Sequence, residues 1–388
     1  MDAAQDTTFV QFLSQVPDPR HARGKRHAWS VILTVISAAV AAGCTTPHAI
    51  AQWTALHASV LQSSLCPGTR RLPSESTLVR ALRSIDVSAL EAEIAHLAAE
   101  TTRRTPQATI TCPNGERLDG QAIDGKAVRG AARQGQPTHL VSLVHHGSGT
   151  TLAQRAVATK RNEIKAVPLL LATRDLTDTV ITMDALLTQR KLARQIQRQH
   201  GHYLMIVKRN QPQLYEALER WFLIPTLPAD DAQEDQVRTV SKGHGRLEIR
   251  TLECSTGLTG YLTWPGVRQI IRRTCERTVL KTGKTSREVT YGVTDLTPRQ
   301  AGAAQLEQLW RAHWTIENRS HYVRDVTLGE DRGQAHTGST AQALAAWRNG
   351  VVGLLRQAGW QNIADAVRAY AASVHAALGL VGARSHAL

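Results

Sequence analysis

Between residues 118 and 207 the apolar residues fall into short runs of strand length, at 122–123, 140–144, 152–158, 180–183 and 203–207, with helical sequence at about 162–174 and 186–199. A strand that is apolar on every residue can face water on neither side. The sheet built from such runs must therefore be covered by helices on both faces, which predicts an α/β core. Strand-like sequence resumes at 246–252, 267–273 and 288–294 between Gly-rich and charged turns, and helical sequence returns from about 298. The economical reading is a β-rich insertion over 224–295 that divides the core into 106–223 and 296–388, the second part ending in a helical tail. Ahead of the core lie an apolar helix at about 27–43, a Gly-Cys-Thr-Thr-Pro turn, and helices expected at roughly 47–63, 76–84 and 87–102. Residues 1–105 thus form an all-helical N-terminal domain.

Charge then narrows the choice of partner. Lys and Arg number 46 against 32 Asp and Glu, a net +14 spread along the chain, which favours a polyanionic partner. Helix 76–84 carries Arg80 and Arg83 and has two readings, a DNA-recognition helix or the basic surface of a bundle. With 42% hydrophobic and 20% charged residues, wholesale disorder is excluded. The five cysteines form no C-x-x-C pair, which argues against a disulfide framework and a structural zinc site. Since 29–43 is shorter than the roughly 20 apolar residues that span a bilayer, and the N-terminus lacks a secretory signal pattern, a cytoplasmic protein without membrane contact is expected. Thr282-Gly-Lys-Thr285 is not a nucleotide-binding loop, because the earlier glycine it requires would fall at position 278, which is Thr.

Two aspartates close apolar strands, Asp124 in Gln-Ala-Ile-Asp-Gly-Lys and Asp184 in Val-Ile-Thr-Met-Asp-Ala. Either alone could be a turn or cap residue. A third acid, Glu317, lies in 309–324, where Trp310, His313, Trp314, Glu317, His321 and Arg324 are spaced to share one helical stripe. The tryptophans read as core packing. Glu317 does not, because an ionised carboxylate on an apolar and aromatic stripe is costly without a cation beside it. Three carboxylates converging from two strands and a helix suit Mg²⁺ or Mn²⁺, which prefer oxygen ligands and keep positions open for water and phosphate. The pairs His145–His146 and His200/His202 lack a third nearby ligand and are assigned no metal.

The order of motifs resembles a family. Ile-Asp-Gly-Lys, strand-Asp-Ala-x-x-x-Gln (Asp184 to Gln189), Lys208-Arg-Asn-Gln, His244-Gly-Arg-x-Glu and His-Trp-x-Ile-Glu-Asn follow one another as in the Asp-Asp-Glu transposases of bacterial insertion sequences, closest to the ISAs-type or H-repeat-associated subgroup. The likeness covers nearly the whole chain, from Phe9-Val-x-x-Phe and Pro17-Asp-Pro-Arg through Lys160-Arg-Asn-Glu-Ile to Gly329-Glu-Asp-Arg. Each motif alone is weak, but their order is specific. The resemblance implies an RNase H-like mixed sheet flanked by helices, with the β-rich insertion before the catalytic helix. It further implies Asp124 on the first strand, Asp184 on the fourth and Glu317 on the later helix as the catalytic, metal-binding triad. The wider superfamily carries Tyr-x-x-Arg-x-x-x-Glu-x-x-x-x-x-x-Lys on that helix, where this chain has Trp310, His313, Glu317 and Arg324. Ser320, Tyr322 and Arg324 also stand where this subgroup would have Leu, Trp and Leu.

The same resemblance implies two Mg²⁺ or Mn²⁺ ions, cleavage of a DNA strand by activated water, and attack of the freed 3′-OH on target DNA. The expected partner is double-stranded DNA at element ends and target, with a homodimer plausible because two ends must be brought together. Lys126, Lys208, Asn210, Gln211, His244, Arg246, His313 and Arg324 are candidates for DNA contact, and Asp331 reads as a helix-terminus or salt-bridge residue. Two alternatives stay open on sequence: a domesticated or inactive DNA-binding derivative, and an RNase H-like nuclease or resolvase without strand transfer.

Overall fold

The computed structural model describes residues 8–22, 25–66, 71–104, 109–133, 136–157, 162–223, 232–333 and 338–383 of the 388-residue chain. Lys160 and Arg161 of the Lys-Arg-Asn-Glu motif and the expected boundaries at 105–106 and 223–224 lie wholly or partly outside them. The helical beginning comprises α1 (Phe9–Leu13), α2 (Trp29–Ala41), α3 (Pro47–Leu56), α4 (Ala58–Leu65), α5 (Glu75–Ser84) and α6 (Val87–Arg104). Helix α2 is buried at every residue from Ile32 to Ala41, which is why it is apolar all round. The single helix expected over 47–63 is two, broken at His57.

Then come β1 (Ile110–Thr111), β2 (Arg117–Arg133), β3 (Gln136–His145), β4 (Thr151–Val157), α7 (Glu163–Leu171), β5 (Thr179–Met183), α8 (Arg190–Arg198), β6 (His202–Val207) and α9 (Pro212–Leu223). Four long strands follow, β7 (Glu234–Gly243), β8 (Arg246–Ser255), β9 (Gln269–Val279) and β10 (Thr285–Thr294). The chain closes with α10 (Ala303–Ala312), two π-helical stretches (Ile316–His321 and Val323–Thr327), a 3₁₀ turn (Glu330–Arg332), α11 (Thr340–Gln357), α12 (Ile363–Ala371) and α13 (Val374–Leu380).

All ten strands form one sheet in the order β4-β3-β2-β5-β6-β10-β9-β8-β7, with β1 paired to β2. Within it, β2, β5 and β6 run parallel and β3 runs antiparallel to β2 and β4. Numbered from β2, the first five strands have the order 3-2-1-4-5 of an RNase H-like sheet. Both faces are buried as the apolar runs require. Ile181, Met183, Tyr203 and Met205 pack with α7, α8 and α9, while Val180 and Leu204 on the alternate face pack with Leu306, Leu309 and Trp310 of α10. The Trp310 ring lies so close to β10 that a β-carbon at Gly292 would sit 2.6 Å from it.

Two features go beyond the sequence expectation. The described part of the β-rich segment, 232–295, is continuous with the core sheet, because β10 hydrogen-bonds to β6 over Tyr291–Thr294 and carries that sheet onward. Strand β7, Glu-Asp-Gln-Val-Arg-Thr-Val-Ser-Lys-Gly, is too polar to have been recognised as a strand. The helical tail also does not pack on the catalytic sheet alone. Helices α11–α13 share one core with α1–α6, and Trp347 donates its indole N–H to Ser37 Oγ at 3.0 Å. No helix among the described residues is long and apolar enough to cross a membrane.

Candidate active site

Strand register brings the two aspartates together. Parallel pairing of β2 and β5 ends at Ile123 opposite Met183, so Asp124 and Asp184 follow on adjacent strands, about 5 Å apart in backbone spacing. Strand β5 stops there. The Asp184 carboxylate accepts the Leu187 N–H at 3.0 Å and so caps the turn leading to α8. Asp124 is not at a strand end as expected from sequence, for β2 continues to Arg133 and Asp124 stays paired with Ser142 of β3. Its carboxylate accepts the Gly125 N–H at 2.8 Å.

Glu317 arrives from the first π-helical stretch, whose wider turn of i→i+5 hydrogen bonds departs from the α-helical spacing assumed from sequence. Glu317 and His321 both face Asp124: His321 Nδ1 lies 3.5 Å from Glu317 Oε2 and 3.9 Å from Asp124 Oδ2. One ligand atom from each of Asp124, Glu317 and His321 falls within 4.8 Å of the others. Asp184 is their neighbour by register but stands outside that group, turned toward the Leu187 amide. Trp314 leaves the expected stripe and is 59% exposed.

Burial pushes the Asp124 carboxyl up to about 7, and the nearby carboxylates of Asp184, Glu317 and Glu163 add to the effect. Sequence reasoning placed the desolvation cost on Glu317. Instead Glu317 is half exposed, and its bond to His321 holds its carboxyl below the usual range. Crowded oxygens of one sign, one of them forced toward its protonated form, are what a divalent cation relieves. The donor set fits a hard ion, with His321 as an added nitrogen ligand.

Glu163 and His321 were not named as site residues from sequence. His321 could have been found four residues beyond Glu317 on the same face. Glu163 lies in the Lys-Arg-Asn-Glu motif but offers no spacing signal. It is the first residue of α7 and is buried, with its carboxylate 2.3–2.6 Å from where a β-carbon at residue 125 would be, so only glycine fits beside Asp124.

The candidate DNA contacts separate into three groups. Lys126 and Arg324 require correction, since both are buried and held by acids. Lys126 pairs with Asp325 and lies 3.7 Å from Glu330 and 3.9 Å from Asp331. Arg324, 1% exposed, donates to Glu330 at 2.8 Å and to Gln154 at 3.1 Å. Neither can reach a phosphate without breaking that network. Asp331, besides its place near Lys126, accepts the Arg129 N–H at 3.0 Å.

The second group lies beside the carboxylates. Lys208 and Asn210 are exposed just past β6. Asn210 donates to Ala185 O at 2.6 Å and Gln211 to Thr188 O at 2.9 Å, which ties this loop to the turn carrying Asp184. His313 Nδ1 lies 2.9 Å from Thr182 Oγ1, and burial pushes its imidazole down to about 4, so the ring is neutral at pH 7. The third group, His244 and Arg246, stands at the exposed β7–β8 turn and not among the carboxylates.

Residues 101–352 match the family described as "Transposase DDE domain". The chain belongs to the DDE transposase family. The helical segment before it, residues 10–97, matches the "DDE_Tnp_1-associated" family. This transposase is 27% identical over 360 residues to YncI of Escherichia coli O157:H7, named as a transposase, covering 90% of this chain and 87% of YncI. It is 34% identical over 267 residues to the "Uncharacterized protein in dhlA 3'region" of Xanthobacter autotrophicus, covering 67% of this chain and 85% of that one. A further relative is YhhI of Escherichia coli K12, an H repeat-associated protein named as a transposase, 29% identical over 225 residues, with 56% of this chain and 58% of YhhI covered. Family membership makes this a DNA-acting enzyme of a divalent-metal-dependent class.

Proposed function

We propose that this transposase cuts a DNA strand at insertion-sequence ends and joins the freed 3′-OH to target DNA, with Asp124, Asp184 and Glu317 as the carboxylates that hold two Mg²⁺ or Mn²⁺ ions. The observation that carries this reading is the convergence of Asp124, Glu317 and His321 beside the strand end that supplies Asp184. Two divalent ions bound there would lower the pKa of a bound water and neutralise charge on the leaving 3′ oxygen. Around them, His321 orients Glu317 and adds a ligand. Asn210 and Gln211 hold the Asp184 turn in place, and exposed Lys208 is free to meet a phosphate. His313 stays neutral and keeps Thr182 fixed under the site. The acting form is a homodimer that synapses two ends, in the cytoplasm on chromosomal DNA.

The test is incubation of the purified protein with end-containing duplex and Mg²⁺ or Mn²⁺, beside Asp184→Ala, with products mapped at nucleotide resolution. Nicks exposing a 3′-OH at the element boundary, followed by joined products, are expected, with a loss of at least about a thousandfold in the variant. Nicks without joined products would make it a nuclease or resolvase. Salt-sensitive binding with no cleavage would make it a DNA-binding derivative.

A further inference from the structure

The four strands of 234–294 reach well past the core they are attached to. Only Tyr291–Thr294 of β10 pair with β6, Tyr291 opposite Val207 at the C-terminal end of that strand. Residues 285–290 therefore run on beyond the end of β6, six residues or about 20 Å at 3.3 Å per residue, with β9, β8 and β7 alongside. Because β5 and β6 are parallel, this is the sheet end at which Asp184 emerges. Two strand spacings, about 10 Å, separate β5 from β10. The arm thus rises from the catalytic end of the sheet, to one side of the carboxylates.

Its far end consists of two hairpin turns held side by side, the Leu280 N–H donating to Gly245 O at 2.8 Å. A β-carbon added at Gly243, Gly245 or Gly283 would meet nothing within 4 Å, so both turns stand in open space. His244 holds a left-handed backbone, φ 48°, between two glycines. The turns carry Lys242, His244 and Arg246 on one side and Lys281 and Lys284 on the other, all exposed, and no acid. The nearest acids are engaged, Glu248 by Arg250 and Arg277 and Glu276 by Arg287 at 3.8 Å. No ion pair among the described residues neutralises the four turn cations. A tip of two adjoining cationic turns suits a duplex, whose backbone supplies phosphates to Lys and Arg.

We propose that the tip of this arm grips the phosphate backbone of duplex DNA about six base pairs from the bond being cut, taking its reach of about 20 Å against 3.4 Å per base pair. The inference rests on the transposase reading for its substrate. The probe is an end-containing duplex, and the variant is Lys242→Gln/Arg246→Gln/Lys281→Gln/Lys284→Gln in the full chain. Its Kd is measured from 50 to 200 mM salt, together with a phosphate-ethylation footprint. At about 0.9 per lost phosphate contact, the slope of log Kd against log salt should fall by 3 to 4, and protection about six base pairs from the cut should vanish. Thermal melting should stay unchanged, since the four side chains are exposed. An unchanged slope and footprint overturn the proposal even if the wild type cuts DNA. A reduced slope in a protein that never cuts would keep the arm and remove the transposition chemistry.

Discussion

Asp124→Asn should melt several degrees higher than the wild type when both are held in EDTA at pH 8, while strand cleavage falls by at least about a thousandfold. The Asp124 carboxyl is raised from 3.8 to about 7, first by burial and then by neighbouring carboxylates. Between those values the folded protein binds a proton that the unfolded chain has released. The contribution of this group to stability is therefore greatest below pH 4 and is lost as pH rises toward 7, by an amount on the order of 2–4 kcal/mol. Asparagine carries no charge to desolvate and none for Asp184 or Glu317 to repel. Adding Mg²⁺ should stabilise the wild type and leave the variant nearly unmoved, narrowing the gap. Differential scanning across pH 5–8, with and without Mg²⁺, checks it; an Asp124→Asn protein no more stable than wild type in EDTA would sink the metal-site assignment.

The second large effect is expected at Glu330, which is not one of the site carboxylates. Burial pushes its carboxyl up, but Arg324 and Arg348 outweigh that and hold it below the usual range. Arg324 bonds it at 2.8 Å, Arg348 at 3.3 Å, and Lys126 lies 3.7 Å away, each of these side chains at most 5% exposed. Glu330→Gln removes the shared acid and leaves buried cations short of a counter-charge, which should cost about 3–5 kcal/mol in urea unfolding. Asp365→Asn, which breaks an exposed pair with Arg368, should cost under about 1 kcal/mol in the same assay. Equal effects would mean that the buried network adds nothing beyond a surface pair. Through Lys126 on β2 and Arg324 beside the Glu317 helix, this network also joins the two elements that supply Asp124 and Glu317.

What could be read from sequence followed from how local each signal is. The apolar runs of β5 and β6 are continuous and both-faced, so the covered sheet and the place of Asp184 at a strand end are legible in the chain. Asp124 was found for a partly mistaken reason, since its strand does not end there but loses its parallel partner. The stripe containing Glu317 was legible at α-helical spacing, yet the helix breaks in a turn at His313 and Trp314 and then widens to π geometry from Ile316, and neither change leaves a period in the chain. Lys126 and Arg324 read as free cations because their partner Glu330 is distant from one and only six residues from the other, in a segment without helical pattern. The union of α11–α13 with the N-terminal helices was hidden for the same reason, being made of contacts such as Ser37 with Trp347.

The join between β10 and β6 has a consequence for solubility. Strand β6, His-Tyr-Leu-Met-Ile-Val, is the kind of short apolar segment that pairs with any strand offered to it, and in this fold β10 covers its outer edge. On that side of the sheet the terminal strand is β7, whose Glu234, Asp235, Arg238 and Lys242 make it a poor template for intermolecular pairing. A shortened chain lacking 232–294 would exchange a charged border for a greasy one, and should precipitate on expression where the full chain stays dispersed.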